Sequence, residues 1–252
     1  MDHAVLNILE PRTFWLNMGL WPASNFPAAC EALASALADH ISLNQKDVLL
    51  DVGFGCGDSL LLYSQKYNLQ TVYGITSLKS HYEFASRRID QSRCKVYHGD
   101  ACLLDEIPFV TKITALDCAY HFHTRRVFLD AAFQKLESGG MIGLADVTLK
   151  KPLAACDWVS YAILYMICKM THSPLENYKS VQEYHTELVG IGYTNVDIVD
   201  VTERVFDGLG AYIRAPSRYI NNRLWMQFVP VSLAMSWASN NLRFVLARGQ
   251  KP

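Results

Sequence analysis

Two stretches of this chain combine residue types that can do chemistry. The first is Asp51-Val52-Gly53-Phe54-Gly55-Cys56-Gly57, directly after an apolar run that starts at Val48. Alternate glycines let a backbone turn sharply and leave no Cβ between it and a ligand. A helix starting next would aim its free N–H groups at the same spot. Strand, loop and helix together form a nucleotide-binding device. The second stretch is Tyr120-His121-Phe122-His123-Thr124-Arg125. Imidazole titrates near neutral pH, so His121 is the leading candidate for a general base and His123 a weaker one.

These residues need elements to position them. Residues 48–52 form a continuous apolar run, as a parallel strand covered on both faces requires. Asp58 can cap a helix over 59–67. Further strands are predicted at 71–75, 94–98, 113–118 and 141–145, with helices over 79–89 and 125–136 between them. An earlier helix is capped by Asn25, with Pro27 in its first turn. Alternating strands and helices imply right-handed crossovers and a doubly wound, Rossmann-like α/β fold with a mostly parallel sheet. Ligands of such sheets bind beyond the carboxyl ends of the strands. That places Asp51 to Gly57, residues 75–77, Gly99-Asp100-Ala101, residues 117–123 and Asp146 around one site.

After Asp146 the alternation breaks. Residues 153–170 read as an aromatic helix, Ser180-Val181-Gln182-Glu183 as a capping box, and 194–201 as a strand. Residues 219–237 are again apolar and aromatic, interrupted by Pro230, and 242–247 form a last strand. The reading is one domain over 1–252, with an N-terminal arm over 1–25. Helical insertions over 151–178 and 204–240 would form a substrate lid, with Gly208-Leu209-Gly210 as a hinge.

Composition narrows the function. Of 252 residues half are hydrophobic and the net charge is −1, so no global field favours nucleic acid or anionic lipid. Seven scattered cysteines without a CxxC pair or zinc spacing suggest reduced thiols in the cytoplasm and no metal. The N-terminus lacks the features of a signal peptide. Residues 153–170 include Asp157 and Lys169, which argues against a membrane span and leaves peripheral membrane contact as an option.

A dinucleotide fingerprint would need its third glycine where Asp58 stands, and an acid after the second strand, where Thr76-Ser77 stand. No Gly-Lys-Ser/Thr follows, which excludes a P-loop. The Asp51-x-Gly53-x-Gly55-x-Gly57 pattern instead resembles the first motif of class I S-adenosylmethionine-dependent methyltransferases. Gly74-Ile75-Thr76-Ser77 looks like the hydroxyl variant of their second motif, found in the branch of cyclopropane synthases, sterol methyltransferases and sugar O-methyltransferases. Gly99-Asp100-Ala101 resembles the adenine motif. Leu136-Glu137-Ser138-Gly139-Gly140 resembles their Leu-x-Pro-Gly-Gly turn, with Ser138 for proline. Asn17-Met18-Gly19-Leu20-Trp21 is similar to the arm that closes over the cofactor. His81 stands where that branch usually has glutamine.

The resemblance implies S-adenosylmethionine as cofactor, held by Trp21, Gly53, Gly55, Thr76, Ser77, Asp100, Ala101 and Cys118, with Asp51 orienting the glycine loop or holding the cofactor's amino group. It also implies that His121 is the base and Asp146 its partner carboxylate, which would fix the imidazole tautomer and favour its cation. Tyr120, Trp158, Tyr161, Tyr165 and Trp225 would wall an apolar acceptor pocket. The expected reaction is O-methylation of a hydrophobic small molecule. The alternatives are C- or N-methylation, or an isomerase or cyclase that keeps the cofactor intact.

Overall fold

The computed structural model describes Asn7, residues 12–214 and residues 222–252, the side chains of 222–229 excepted. A seven-stranded sheet runs through these residues. Its strands are β1 (Val48–Val52), β2 (Thr71–Thr76), β3 (Cys94–His98), β4 (Val110–Leu116), β5 (Leu136–Leu149), β6 (Thr194–Asp200) and β7 (Leu242–Gln250). Their order across the sheet is β3-β2-β1-β4-β5-β7-β6. The pairs from β3 through β5 are parallel. β7 enters antiparallel between β5 and β6.

The apolar run of β1 is explained by this placement. Leu49 packs on one face with Phe26, Leu60 and Tyr63. Its neighbour Leu50 packs on the other face with Phe128, Leu129 and Leu188. Both faces are covered, so alternation disappears. Helices α1 (Phe26–His40) and α2 (Asp58–Lys66) supply the first face, and α4 (Arg125–Lys135) and α6 (Val181–Ile191) the second. Helix α3 (Lys79–Ser86) follows β2, and α5 (Trp158–Thr171) adds Leu164 and Cys168 to a third cluster with Val147 and Phe244.

Several caps follow the sequence. Asn25 accepts the Ala28 N–H at 2.9 Å, and Ser180 with Glu183 forms the capping box of α6. Others differ. Asp58 lies inside α2 and does not cap it; Gly57, in the left-handed region at φ 92°, occupies the cap. The Asp58 carboxylate instead meets the Arg88 guanidinium at 2.8 and 3.1 Å. Arg88 also donates to the Cys56 carbonyl at 2.6 Å, so it ties the glycine loop to α3, which stops at Ser86 rather than 89.

The expected hinge at Gly208 is also corrected. A π-helical turn at Glu203–Asp207 leads into α7 (Gly208–Arg214), so this stretch is helical. A Cβ on Gly208 would lie 2.3 Å from the Trp21 Cβ. Glycine is needed there for close approach of the arm. Helix α8 (Asn222–Asn241) contains Pro230 and leads into β7. Among the described residues no helix is long and apolar enough to cross a membrane.

The order reverses between β1 and β4, so the loops after them diverge and open a crevice at their carboxyl ends. Beside it, Gly74 pairs with Asp51 across the sheet, and a Cβ there would stand 2.7 Å from the Phe54 ring. Overpacking of this kind costs about 1–3 kcal/mol. Gly74→Ala is expected to lower the thermal midpoint accordingly; melting together with wild type would show that the glycine loop yields freely.

Candidate active site

The crevice is a cavity of about 620 Å³. The glycine loop supplies Gly53 and Gly55, the end of β2 supplies Thr76 and Ser77, and the turn after β3 supplies Asp100 and Ala101. The turn after β4 supplies Asp117, Cys118, Tyr120 and His121. Thus nine residues singled out from the sequence (Gly53, Gly55, Thr76, Ser77, Asp100, Ala101, Cys118, Tyr120, His121) face one space. Among the described residues no cluster of His, Cys, Asp or Glu could hold a metal ion.

The floor is shaped by Gly53, at φ 73°, where a Cβ would stand 2.7 Å from the Cys118 sulfur. That sulfur donates to the Val52 carbonyl at 3.2 Å, and burial pushes its thiol pKa up. Asp51 does not reach the cavity. It is fully buried below the loop and accepts from Ser59 Oγ at 2.5 Å and Thr114 Oγ1 at 2.8 Å. Burial raises its pKa to about 6, against these two hydrogen bonds. Asp51 therefore fixes β1 to α2 and β4 rather than touching a ligand.

The arm supplies Asn17 and Met18, which belong to its motif, and Phe14 and Leu16, which no motif singled out. Phe14, Leu16, Asn17 and Met18 line the cavity. The Phe14 N–H donates to Asp58 at 3.2 Å, and the Arg88 guanidinium sits 4.7 Å over the Phe14 ring. The Met18 N–H donates to Asp117 Oδ2 at 2.8 Å. Trp21 is buried behind this arm, stacked on Tyr212 at 4.4 Å, and donates its indole N–H to the Met18 carbonyl at 3.2 Å. It braces the arm and does not line the cavity. The sequence signal for this wall was the Asn17-Met18-Gly19-Leu20-Trp21 resemblance, which does not extend to Phe14 and Leu16.

Asp117 holds a left-handed conformation at φ 56°, a region that aspartate tolerates better than most residues. Its N–H donates to the Ala145 carbonyl at 2.8 Å, and its Oδ1 accepts from the Tyr120 hydroxyl at 3.0 Å. Burial drives its pKa to about 7, opposed by the Met18 and Tyr120 hydrogen bonds. His81, also on the cavity wall, has its pKa lowered by burial.

His121 ends a short 3-10 turn, Ala119–His121, with its ring edge open to the cavity. Burial by its neighbours lowers its pKa, against the charge of Asp146 and a contact with the Thr171 backbone. The expected hydrogen bond between His121 and Asp146 is not made. Nδ1 of His121 instead meets Ser173 Oγ at 2.7 Å. The oxygens of Asp146 are taken by Arg125 Nη1 at 2.9 Å, the Tyr184 hydroxyl at 3.0 Å and the Val147 N–H at 2.9 Å. Arg125 and Asp146 are both fully buried and pair with each other away from the cavity, while Arg125 Nε and Nη2 have no hydrogen-bond partner among the described residues. Asp146 reaches His121 by charge alone.

The predicted aromatic wall of α5 is not on the cavity. Trp158 is 81% exposed, and Tyr161 and Tyr165 are exposed beside it. Their spacing is set by a helix whose buried stripe is Leu164 and Cys168, so they face outward. Trp225 lies outside the described residues.

Sheet order, glycine loop and strand-end motifs together are those of the class I S-adenosylmethionine-dependent methyltransferases, and the chain has that fold. No protein-family model matches it. The chain is 26% identical over 208 residues to erythromycin 3''-O-methyltransferase of Saccharopolyspora erythraea, covering 77% of this chain and 66% of that enzyme. Among solved structures it is similar to geranyl diphosphate C-methyltransferase from Streptomyces coelicolor (TM-score 0.75, 17% identity, 100% of this chain and 97% of that one). It is also similar to the cyclase SpnF (TM-score 0.71, 17% identity, 98% and 92%).

Removing one partner of a buried ion pair costs about 3–5 kcal/mol, because the other charge is stranded. Asp146→Asn is therefore expected to destabilise the fold by that amount in denaturant titration; unchanged stability would return Asp146 to a purely catalytic role. Asp117 generates a pH signature. Its folded pKa of about 7 lies above the ordinary 3.8, so the folded state holds a proton that the unfolded state has released. Its contribution is fully present below about 4 and is lost as pH rises to about 7. The thermal midpoint of Asp117→Asn relative to wild type should climb from pH 5 to 7 and level off above. A flat difference would mean an ionised Asp117 throughout.

Proposed function

We propose that the protein transfers the methyl group of S-adenosylmethionine to an oxygen of a hydrophobic small molecule, with His121 as general base. The observation that carries this reading is the charge of the cavity. Asp58, Asp100 and Asp117 line it, and among the described lining residues there is no lysine or arginine. The diphosphate of a dinucleotide would meet like charge in a partly desolvated cleft. A nucleoside carrying a cationic sulfonium meets the opposite sign. Asp58 already has Arg88, whereas the hydrogen-bond donors to Asp117 are neutral, so a bound cation would favour the ionised form of Asp117 and draw its raised pKa down.

The residues present fit that cofactor. Gly53 and Gly55 keep open a cradle that side chains would fill: a Cβ would come 2.7 Å from Cys118 and 3.0 Å from Leu16. Backbone there would hold the methionine part, Thr76 and Ser77 the ribose, and Asp100 and Ala101 the adenine. Asp51 keeps the loop in place from below, and Trp21 keeps the arm in place from behind. When bound, S-adenosylmethionine supplies a methyl group already activated as a sulfonium, so positioning carries most of the acceleration.

His121 removes the proton of the acceptor hydroxyl. The lowered pKa keeps its imidazole neutral at physiological pH, the state a base must start from. Tyr120 and Phe122 form the apolar shoulder beside it. The name of the Saccharopolyspora erythraea relative specifies O-methylation of a small molecule, which agrees with this assignment.

Calorimetry should show S-adenosylmethionine binding, and turnover should release S-adenosylhomocysteine in proportion to product. His121→Ala should lower kcat by roughly 10²–10⁴-fold, the usual contribution of a positioned base, with KM little changed. No binding would refute the cofactor. Product without S-adenosylhomocysteine would mark a cyclase or isomerase, and near-wild-type turnover of the variant would remove His121 from the base role.

A further inference from the structure

The carboxylate expected to orient His121 is engaged elsewhere, so something else must decide which ring nitrogen carries the proton. The hydroxyls at the end of α5 do so by an accounting of donors. A serine or threonine hydroxyl has one proton to give and lone pairs to receive. Thr171 Oγ1 donates its proton to the Ile167 carbonyl one turn back in the helix, at 2.8 Å. A carbonyl oxygen has no proton, so the direction of this bond is fixed. Thr171 Oγ1 lies 3.0 Å from Ser173 Oγ. With its own proton committed, Thr171 can only accept there, so Ser173 donates. Ser173 has then spent its single proton, and its 2.7 Å contact with His121 Nδ1 must run the other way. Nδ1 carries the hydrogen.

We infer that the Ile167 carbonyl, through Thr171 and Ser173, holds neutral His121 in the Nδ1–H tautomer, which makes Nε2 the unprotonated ring nitrogen. Thr171 and Ser173 are positioning residues. They act on His121 from behind and touch no reacting atom.

The chain of hydroxyls does the tautomer-fixing work that a carboxylate does in a His–Asp pair, without adding a negative charge. Protonation at Nε2 leaves the Nδ1–H bond to Ser173 as it was, so the relay tolerates both states of the ring. Ser173 is buried, which keeps water from replacing it. Asn177 steadies the same turn: its Nδ2 donates to the carbonyls of Tyr120 at 3.2 Å and Phe122 at 2.7 Å. Its Oδ1 accepts the Arg125 N–H at 3.0 Å. The segment between α5 and α6 therefore sets both the place and the proton of His121.

The tautomer itself follows from the hydrogen bonds, while its use in catalysis rests on the base role proposed above. The test therefore reads the ring directly. Nitrogen-15 spectra of histidine-labelled, full-length protein, with His121 assigned through His121→Gln, distinguish a protonated from an unprotonated ring nitrogen without cofactor or turnover. Above its pKa, wild-type His121 should show a protonated Nδ1 and a bare Nε2. Thr171→Val frees the Ser173 proton for Nδ1 and should shift His121 towards the Nε2–H tautomer, although residue 171 does not line the cavity. Ser173→Ala should lose the preference, and Thr171→Ser, which keeps the hydroxyl, should restore the wild-type spectrum. A wild-type ring protonated at Nε2 would overturn the inference. So would a Thr171→Val protein, folded by circular dichroism, that keeps the wild-type tautomer. If the spectra follow this pattern but His121→Ala turns over normally, the relay stands and the base assignment falls.

Discussion

One fully buried guanidinium organises the acceptor side of this protein. Arg125 opens α4 and meets Asp146, on β5, with both side chains out of contact with solvent. Burying two ions costs several kcal/mol each unless the pair is close and the remaining polar atoms find partners. Here the condition is met on the carboxylate side, where Asp146 also accepts from Tyr184 on α6; Arg125 Nε and Nη2 have no hydrogen-bond partner among the described residues, and the guanidinium lies 4.0 Å over the Tyr184 ring. Strand β5, α4 and α6 are thereby locked at one point. The backbone of Arg125 extends that lock through Asn177 to the turn that carries His121. Disturbing the pair would move the proposed base without touching it.

The cofactor side rests on a different balance. Carboxylates cluster there with unequal compensation. Asp58 has a guanidinium, Asp51 has two hydroxyls, and Asp117 has a backbone amide and a phenol. Neutral donors stabilise a buried carboxylate less than a cation does, so Asp51 and Asp117 sit with raised pKa values. Asp117 is also the contact that joins the arm to the end of β4. Closure of the cavity and its charge are therefore properties of the same side chain.

The alternating strands and helices were legible because their signals are local. A continuous apolar run, an Asn25 cap and a Ser180–Glu183 capping box each act within a few residues, and all appear as read. The glycine loop was legible for the same reason, since a backbone that turns left-handed at Gly53 and Gly55 selects for glycine at those positions. Side-chain partners were not legible. Asp58 looked like a cap because it precedes a helix, yet Arg88, thirty residues on, claims it. Trp158, Tyr161 and Tyr165 looked like a pocket wall because they are aromatic, yet a helix has an outer face as well as an inner one.

The chemistry divides along the same line. Sequence by itself placed His121, Thr76, Asp100 and the glycines at carboxyl ends of strands, because the order of strands and loops along the chain dictates where each loop emerges. It also assigned Asp146 to the neighbourhood of His121, which the charge coupling between them reflects. Only the tertiary structure decided that Arg125 takes Asp146 and that Ser173 takes His121. Such choices depend on distances of about 3 Å between side chains on separate elements, and on how many donors and acceptors each has left. Periodicity and motif spacing fix neither quantity; packing of α4, α5 and α6 against the end of β5 fixes both.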